Sequence, residues 1–213
     1  MRENLKVLLT DDHAMVRTAL KRVLQDVPGI ALVGEADTAN EALRQVREQH
    51  WDAVVLDLNM PGQNAMSVLK IMKVEQPELP VLVLSMYPEE QHAVRALKSG
   101  AAGYVGKASA ADELVKAIQK VVQGDTYMSP ELAKTVTNHL RARPSQTVHE
   151  LLSDREFTVL CAIAEGKSLS LIAEELNLSA KTVSTYRSRV LSKMAMRSNI
   201  ALARYAVEHG LVT

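Results

Sequence analysis

Along the first 125 residues the apolar positions follow two alternating rhythms. Short runs rich in β-branched residues, LKVLL (5–9), IALVG (30–34), AVVLD (53–57), VLVLS (81–85) and GYV (103–105), are separated by longer segments in which apolar residues recur every three or four positions. In MVRTALKRVLQDV the residues Val16, Ala19, Leu20, Val23 and Leu24 make one stripe, as a helix with one buried face requires. Pro28-Gly29, Pro77, Gly100 and Gly124 punctuate the ends of such segments, where helices stop. Strands alternating with helices of this length predict βαβ units, hence an α/β fold with a five-stranded, doubly wound parallel sheet covered on both faces. Because the strands are apolar throughout, the pattern also predicts burial from both sides.

After Gly124 the rhythm changes. SPEL (129–132) starts a short helix, with Ser129 as cap, Pro130 at the first helical position and Glu131 at the positive end. It runs out in RARPSQTVHE (141–150), a polar, proline-interrupted stretch that reads as linker. SDRE (153–156) has the form of a capping box and opens a helix that turns Phe157, Leu160, Cys161 and Ala164 inward and ends at Gly166. Residues 168–194 then read as two helices about a tight turn, with Asn177 suited to a left-handed conformation and Ser179 placed to cap the second. On that second helix Val183, Val190 and Met194 fall inward, flanked by Tyr186 and Leu191, while Lys181, Ser184, Thr185, Ser188 and Ser192 fall outward, with Thr182 and Arg189 at one edge. Small hydroxyls on the outer face suit entry into a major groove about 12 Å wide. The expected organisation is a first domain over 1–125, a linker with a short helix over 126–148, and a small all-α four-helix domain of helix-turn-helix type over 149–213.

Composition narrows the class. A length of 213 residues favours two domains, and 47% hydrophobic with 23% charged residues describes an ordinary globular chain. No apolar run approaches the roughly 20 residues that span a bilayer, no secretory leader is evident at the N-terminus, and the single cysteine, Cys161, fits a reducing compartment and a buried structural role. A cytoplasmic protein without membrane contact is expected. The formal charge of zero hides an asymmetry: residues 1–130 carry 14 basic and 17 acidic residues, residues 131–213 carry 11 and 8. Between Glu175 and Glu208 no acid occurs, while Lys181, Arg187, Arg189, Lys193, Arg197 and Arg204 do, which is either a solvated basic face or a polyanion-binding one.

The chemistry of the first domain lies where its strands end. Asp57 closes the third apolar run, Asp11 and Asp12 the first, Ser85 the fourth, and Lys107 follows the fifth. In a sheet of order 2-1-3-4-5 the first and third strands are neighbours about 5 Å apart, so three carboxylates share one crevice with a hydroxyl and an ammonium. Like charges so close repel unless a cation sits among them. A hard divalent ion such as Mg²⁺, bound through oxygens, supplies that charge and leaves one carboxylate, Asp57 at the centre, as nucleophile toward a phosphoryl group. Taken singly, each residue has a plainer reading, as a strand-end turn former, a helix cap or a surface lysine.

LTDDHAMVR, VVLDLNMPG, VLS and AAGYVGK together resemble the marks of a response-regulator receiver domain, the flavodoxin- or CheY-like fold, over roughly 1–125. The resemblance implies that Asp57 accepts phosphate from a histidine kinase, that Asp12, Asp57 and the backbone carbonyl of Asn59 bind Mg²⁺ with Asp11 supporting through water, that Lys107 neutralises the phosphoryl oxygens, that Ser85 bonds one of them, and that Tyr104 swings as Ser85 moves. LSDREFTVL, the 166–194 segment and NIALARYAVEHGLV resemble the LuxR-type four-helix DNA-binding domain over about 149–213. That likeness implies a recognition helix over 180–194 in which Ser184, Thr185 and Ser188 read bases, Lys181, Thr182, Arg187 and Arg189 hold phosphates of double-stranded DNA, and the last helix, around Ala201, Tyr205 and Val207, forms a homodimer. The two in tandem are the layout of NarL/FixJ-type response regulators: a phosphorylation-controlled transcription regulator, not an enzyme. Departures are few. Asn64-Ala65 stands where the family often has Asp-Gly, Gly106 where a larger apolar residue is usual, and Ser184 and Ser188 where many relatives carry lysine. The alternative is a constitutive DNA-binding protein whose receiver serves only for pairing. A phosphatase would need a second acid two residues beyond Asp57, where Asn59 stands, and a flavin-binding fold would need a phosphate loop where Asp11 and Asp12 lie. His13 reads as a loop residue, not a ligand.

Overall fold

A computed structural model describes residues 4–58, 60, 64–86, 89–107, 110–141 and 147–212. The chain divides into two compact units, the first reaching to Val136 and the second starting at Thr137. In the first, strands β1 (Leu5–Thr10), β2 (Ile30–Ala36), β3 (Ala53–Asp57), β4 (Val81–Ser85) and β5 (Gly103–Gly106) alternate with helices α1 (Ala14–Gln25), α2 (Ala39–Glu48), α3 (Ala65–Glu75), α4 (Glu89–Lys98) and α5 (Ala110–Val121). The strands form one sheet of order β2-β1-β3-β4-β5, and every pairing is parallel.

Successive strand residues point to opposite faces, and each face has its own core. Leu8, Val54, Leu56 and Val83 pack with α2, α3 and α4 residues such as Leu43, Leu69 and Ala96. Val7, Leu9, Val55 and Leu84 pack on the other side with Leu20 and Leu24 of α1 and Leu114 and Ile118 of α5. Four of the strands are apolar because they are covered twice. The edge strand β2 differs from the expectation of full burial: it runs two residues past Gly34, only its Val33 and Ala36 are buried, and Leu32 is 43% exposed. An edge strand has one neighbour, so part of its surface meets solvent. At Gly34 the reason for a missing side chain is steric, since a Cβ there would lie 2.2 Å from Trp51 Cη2, an indole whose N–H donates to the Gln45 carbonyl at 3.1 Å.

Asn64 caps α3 by accepting from the Met66 N–H, so the departure from Asp-Gly at 64–65 still starts a helix. Of the expected turn at Met60-Pro61-Gly62 only Met60 is described, and it is buried. The segment after α5, expected to be linker, begins on the first unit. Tyr127 donates to the Ala102 carbonyl at 2.9 Å and forms a bridge with Gly103 at the β5 edge. Helix α6 (Pro130–Arg141), capped by Ser129, then places Leu132 in the α2–α3–α4 core with Met128 and Val136 against it. Part of the polar stretch at 141–150 lies outside the described residues.

The second unit holds a short 3-10 turn (Val148–Leu151) and helices α7 (Asp154–Ala164), α8 (Leu169–Glu175), α9 (Ala180–Lys193) and α10 (Asn199–Glu208), around a core of Phe157, Leu160, Ile172, Val183, Val190, Leu202 and neighbours, Cys161 included. The capping box at Ser153 and Glu156 is formed, Ser179 caps α9, and Asn177 takes the left-handed conformation, φ 51°, between α8 and α9. Among the described residues no helix is long and apolar enough to cross a membrane.

Two outcomes follow from this packing. Gly34→Ala is expected to cost about 1–3 kcal/mol through overpacking against Trp51, read as an earlier urea transition in the fluorescence of the chain's single tryptophan; an unchanged midpoint would mean the ring can shift freely. The buried Glu156 carboxylate accepts from Ser153 N–H at 2.8 Å and Lys193 Nζ at 2.6 Å. Burial would raise its pKa, but these partners outweigh it and hold the group below the ordinary carboxylate value. The stability it contributes is therefore present above that ordinary value and lost as pH falls through the lower folded one. Glu156→Gln should cost about 1–3 kcal/mol at neutral pH and flatten the acid-side loss in the second unit's melting temperature; a slope equal to the parent's would remove Glu156 as its source.

Candidate functional site

The register of the sheet brings the strand-end residues together. Thr10 pairs with Leu56, so Asp11 emerges beside Asp57. Asp57 pairs with Leu84 and Ser85 with Gly106, so Ser85 and then Lys107 leave their strands at the same rim. Asp11 and Asp57 are fully buried, and Ser85 is 1% exposed, because a parallel sheet sunk between two helix layers buries even the ends of its central strands.

Lys107 is the hub. Its Nζ donates to Asp57 Oδ2 at 2.8 Å and makes an ion pair with Asp11 Oδ2 at 2.7 Å, and only 4% of its side chain meets solvent. Burial alone would pull the ammonium's pKa down, yet the two aspartates hold it above the ordinary lysine value. Asp12 is less buried, with His13 Nδ1 2.6 Å from its Oδ1, and the His13 N–H donates to Asp11 Oδ1 at 2.8 Å.

Ligand-capable atoms of Asp11, Asp12, His13 and Asp57 all lie within 4.8 Å of one another. One ammonium cannot offset three carboxylates. Asp11 Oδ2 and Asp12 Oδ1 are buried, and each carboxylate keeps lone pairs beyond its contact with Lys107 or His13. Excess negative charge and oxygen donors of this kind fit a hard divalent cation. The sequence placed Asp11, Asp12, Asp57, Ser85 and Lys107 at this rim, and all five are found there. Asn59, expected to lend a carbonyl, lies outside the described residues. His13, expected as a loop residue, does lie in the loop ahead of α1, but its ring also joins the acid group.

Two contributors were not expected. Thr10 is fully buried, and its hydroxyl donates to the Val55 carbonyl at 2.8 Å while accepting the Asp57 N–H at 3.3 Å, stitching the ends of β1 and β3. Arg17 donates to the Asp11 carbonyl. A polar residue closing an apolar strand was the available signal for Thr10; Arg17 gave none, because its partners come from other elements. Tyr104, the expected switch aromatic, is fully buried in the same core that holds Leu132.

In the second unit, α9 buries Val183 and Val190 and exposes Lys181, Ser184, Thr185, Ser188 and Arg189, so the predicted outer face is the outer face. The Thr185 and Ser188 hydroxyls donate to the carbonyls of Lys181 and Ser184, both at 3.0 Å. Such local bonds are weak enough to exchange for an external partner. Thr182 and Arg187 sit less freely: the Thr182 hydroxyl lies 2.8 Å from Ser179 Oγ in the cap, and Arg187 Nε donates to Asn199 Oδ1 at 2.6 Å.

With this geometry in place, similarity to known proteins is informative. Residues 7–119 match the response regulator receiver domain, and residues 150–206 match the bacterial regulatory proteins of the luxR family. The response regulator GacA of Pseudomonas syringae is 36% identical over 209 residues, covering 98% of each chain. The response regulator UvrY of Escherichia coli K12 is 32% identical, covering 97% of this chain and 95% of its own. A solved structure of two RcsB dimers bound to two parallel DNAs superposes with a TM-score of 0.61 at 26% identity, covering 99% of this chain and 100% of that one. The relatives are regulators and not enzymes, and both modules match in order along one chain: this protein belongs to the two-component response regulators of the NarL/FixJ type, a receiver domain followed by a LuxR-type helix-turn-helix domain.

Proposed function

We propose that Asp57 takes a phosphoryl group from a phosphohistidine of a partner kinase and that this modification controls how α9 binds double-stranded DNA. The clustering of Asp11, Asp12 and Asp57 at neighbouring strand ends, with Lys107 bridging Asp11 and Asp57, carries the reading. In the transfer, an Asp57 carboxylate oxygen bonds to phosphorus, the bond from phosphorus to the imidazole nitrogen breaks, and its electron pair stays with the imidazole. Lys107, already 2.8 Å from Asp57, follows the charge onto the phosphoryl oxygens. Asp12, Asp57 and the Asn59 carbonyl would hold Mg²⁺, with Asp11 in support, and the ion would supply positive charge to neutralise the phosphoryl group.

Ser85 donates to a phosphoryl oxygen, and Tyr104 changes its packing as Ser85 moves, so the charge at Asp57 selects between two arrangements of the receiver. Taking such an equilibrium from 1:99 to 99:1 needs about 5.5 kcal/mol, within reach of a few charge-assisted hydrogen bonds of roughly 1.5–3 kcal/mol each. On the DNA side, Ser184, Thr185 and Ser188 face base edges while Lys181, Thr182, Arg187 and Arg189 meet phosphates. With serines at two of the reading positions, water and DNA shape share the readout. Chains pair through α10 around Ala201, Tyr205 and Val207; exposure of Val207 supports this. The setting is the cytoplasm. The receiver spans 1–125, a linker 126–148 and the DNA-binding domain 149–213. An intact acid set gives no support to a constitutive protein whose receiver only pairs.

Intact-mass spectrometry after incubation with acetyl phosphate and Mg²⁺ is expected to find one added phosphoryl group in the parent and none in Asp57→Asn or without metal. If neither acetyl phosphate nor a phosphorylated kinase adds mass, the acceptor reading is wrong. In gel shifts, Arg189→Ala should weaken binding to all duplexes alike and reduce the salt slope by about 1, whereas Thr185→Ala should cost about 1–3 kcal/mol on the preferred site alone. Equal losses on preferred and scrambled DNA for both variants would overturn the division of roles.

A further inference from the structure

The loop that carries Asp11 and Asp12 is fixed by a side chain from outside the acid group. The Asp11 N–H donates to the Ala36 carbonyl on β2 at 3.1 Å, and the Asp11 carbonyl accepts from Arg17 Nη1. Arg17 sits in the first turn of α1, and its Nε donates to Glu35 Oε2 at 3.3 Å. Glu35 stands next to Ala36 on β2 and also takes Lys21 Nζ, one turn further along α1. A rigid guanidinium fork can serve two acceptors in fixed directions, as a lysine ammonium cannot.

The position of that carbonyl matters chemically. The Asp11 C=O lies in the planar peptide unit that joins Asp11 to Asp12, so a hydrogen bond that fixes it restrains ψ at Asp11 and φ at Asp12, the torsions on which the aim of the two carboxylates depends. The hydrogen bond by which Arg17 reaches the acid pair is made to the backbone, at the Asp11 carbonyl. We infer that Arg17, oriented by Glu35, is a positioning residue that sets the Asp11–Asp12 pair for cation binding. β2 and α1, which contribute no ligand, thereby set the metal affinity of the receiver. Lys21 shares Glu35 and holds it against Arg17, and both cations keep the Glu35 carboxyl below the ordinary carboxylate value, the Lys21 hydrogen bond first.

This inference rests on the cation-binding reading of the acid pocket, and direct Mg²⁺ titration by calorimetry on the full chain separates the two. Parent, Arg17→Ala, Arg17→Lys, Glu35→Gln and Arg22→Ala are compared, the last removing a charge from the exposed side of the same helix. Partners of metal ligands typically contribute 10–100-fold in metal affinity. Arg17→Ala is therefore expected to weaken Mg²⁺ by about 10–100-fold, Arg17→Lys and Glu35→Gln by less, and Arg22→Ala hardly at all, while Trp51 fluorescence unfolding stays near that of the parent. A merely structural role would move the unfolding transition and leave the Mg²⁺ constant alone. If Arg17→Ala does not fold, Glu35→Gln decides, and parent-like Mg²⁺ affinity there overturns the inference. A parent that binds no Mg²⁺ overturns the cation reading itself, and the inference with it.

Discussion

Three carboxylates confined within a few ångströms repel one another, and the sheet holds them there against that repulsion. The parallel pairing of β1 with β3 fixes Asp11 beside Asp57, and the paired apolar residues before them prevent either strand from sliding, since a one-residue slip would turn every core side chain to the wrong face. The strand ends cannot relax apart without breaking a ladder buried between two helix layers. What remains is electrostatic: Lys107, carried in by β5, sits between Asp11 and Asp57 and offsets part of the charge. The residual negative charge and the oxygen donors around it suit a hard divalent cation.

The same arrangement makes the site sensitive. Because Lys107 is shared, any group added to Asp57 redistributes a contact that Asp11 also uses, and the buried setting gives little water to screen the change. Ser85 is almost completely buried at the neighbouring strand end, so its hydroxyl has few options. Tight packing around it converts a small displacement into a choice between discrete arrangements, as close-packed interiors do. Thr10 ties the β1 and β3 ends together and so limits movement of the strand that ends at Asp57.

Much of this was legible along the chain, for a reason that also marks the limit. The acids, Ser85 and Lys107 follow runs of β-branched residues, and in a doubly wound sheet a position after a strand is already a position at the rim. Helix caps at Ser153 and Ser179 and the left-handed Asn177 depend on neighbours in sequence, so local chemistry announces them. The Arg17–Glu35 contact does not announce itself, because it joins α1 to an edge strand whose side chains looked buried from their composition. The docking of Tyr127, Leu132 and Val136 on the first unit was equally hidden: an amphipathic stripe declares that a face is buried, not against what.

That last contact bears on how far a change at Asp57 can reach. Tyr104 and Leu132 belong to one buried cluster, together with Ala93 and Ala96 of α4. A ring of that size cannot change place in a core at crystal-like density without its neighbours giving way. The head of α6 is among those neighbours, and α6 continues as one helix to Arg141, past the end of the first unit at Val136. A helix is stiffer than a loop of the same residues, and Leu132 anchors the head of this one in the first unit's core. The part of the chain that composition marks as spacer thus begins inside the core of the module that receives the signal.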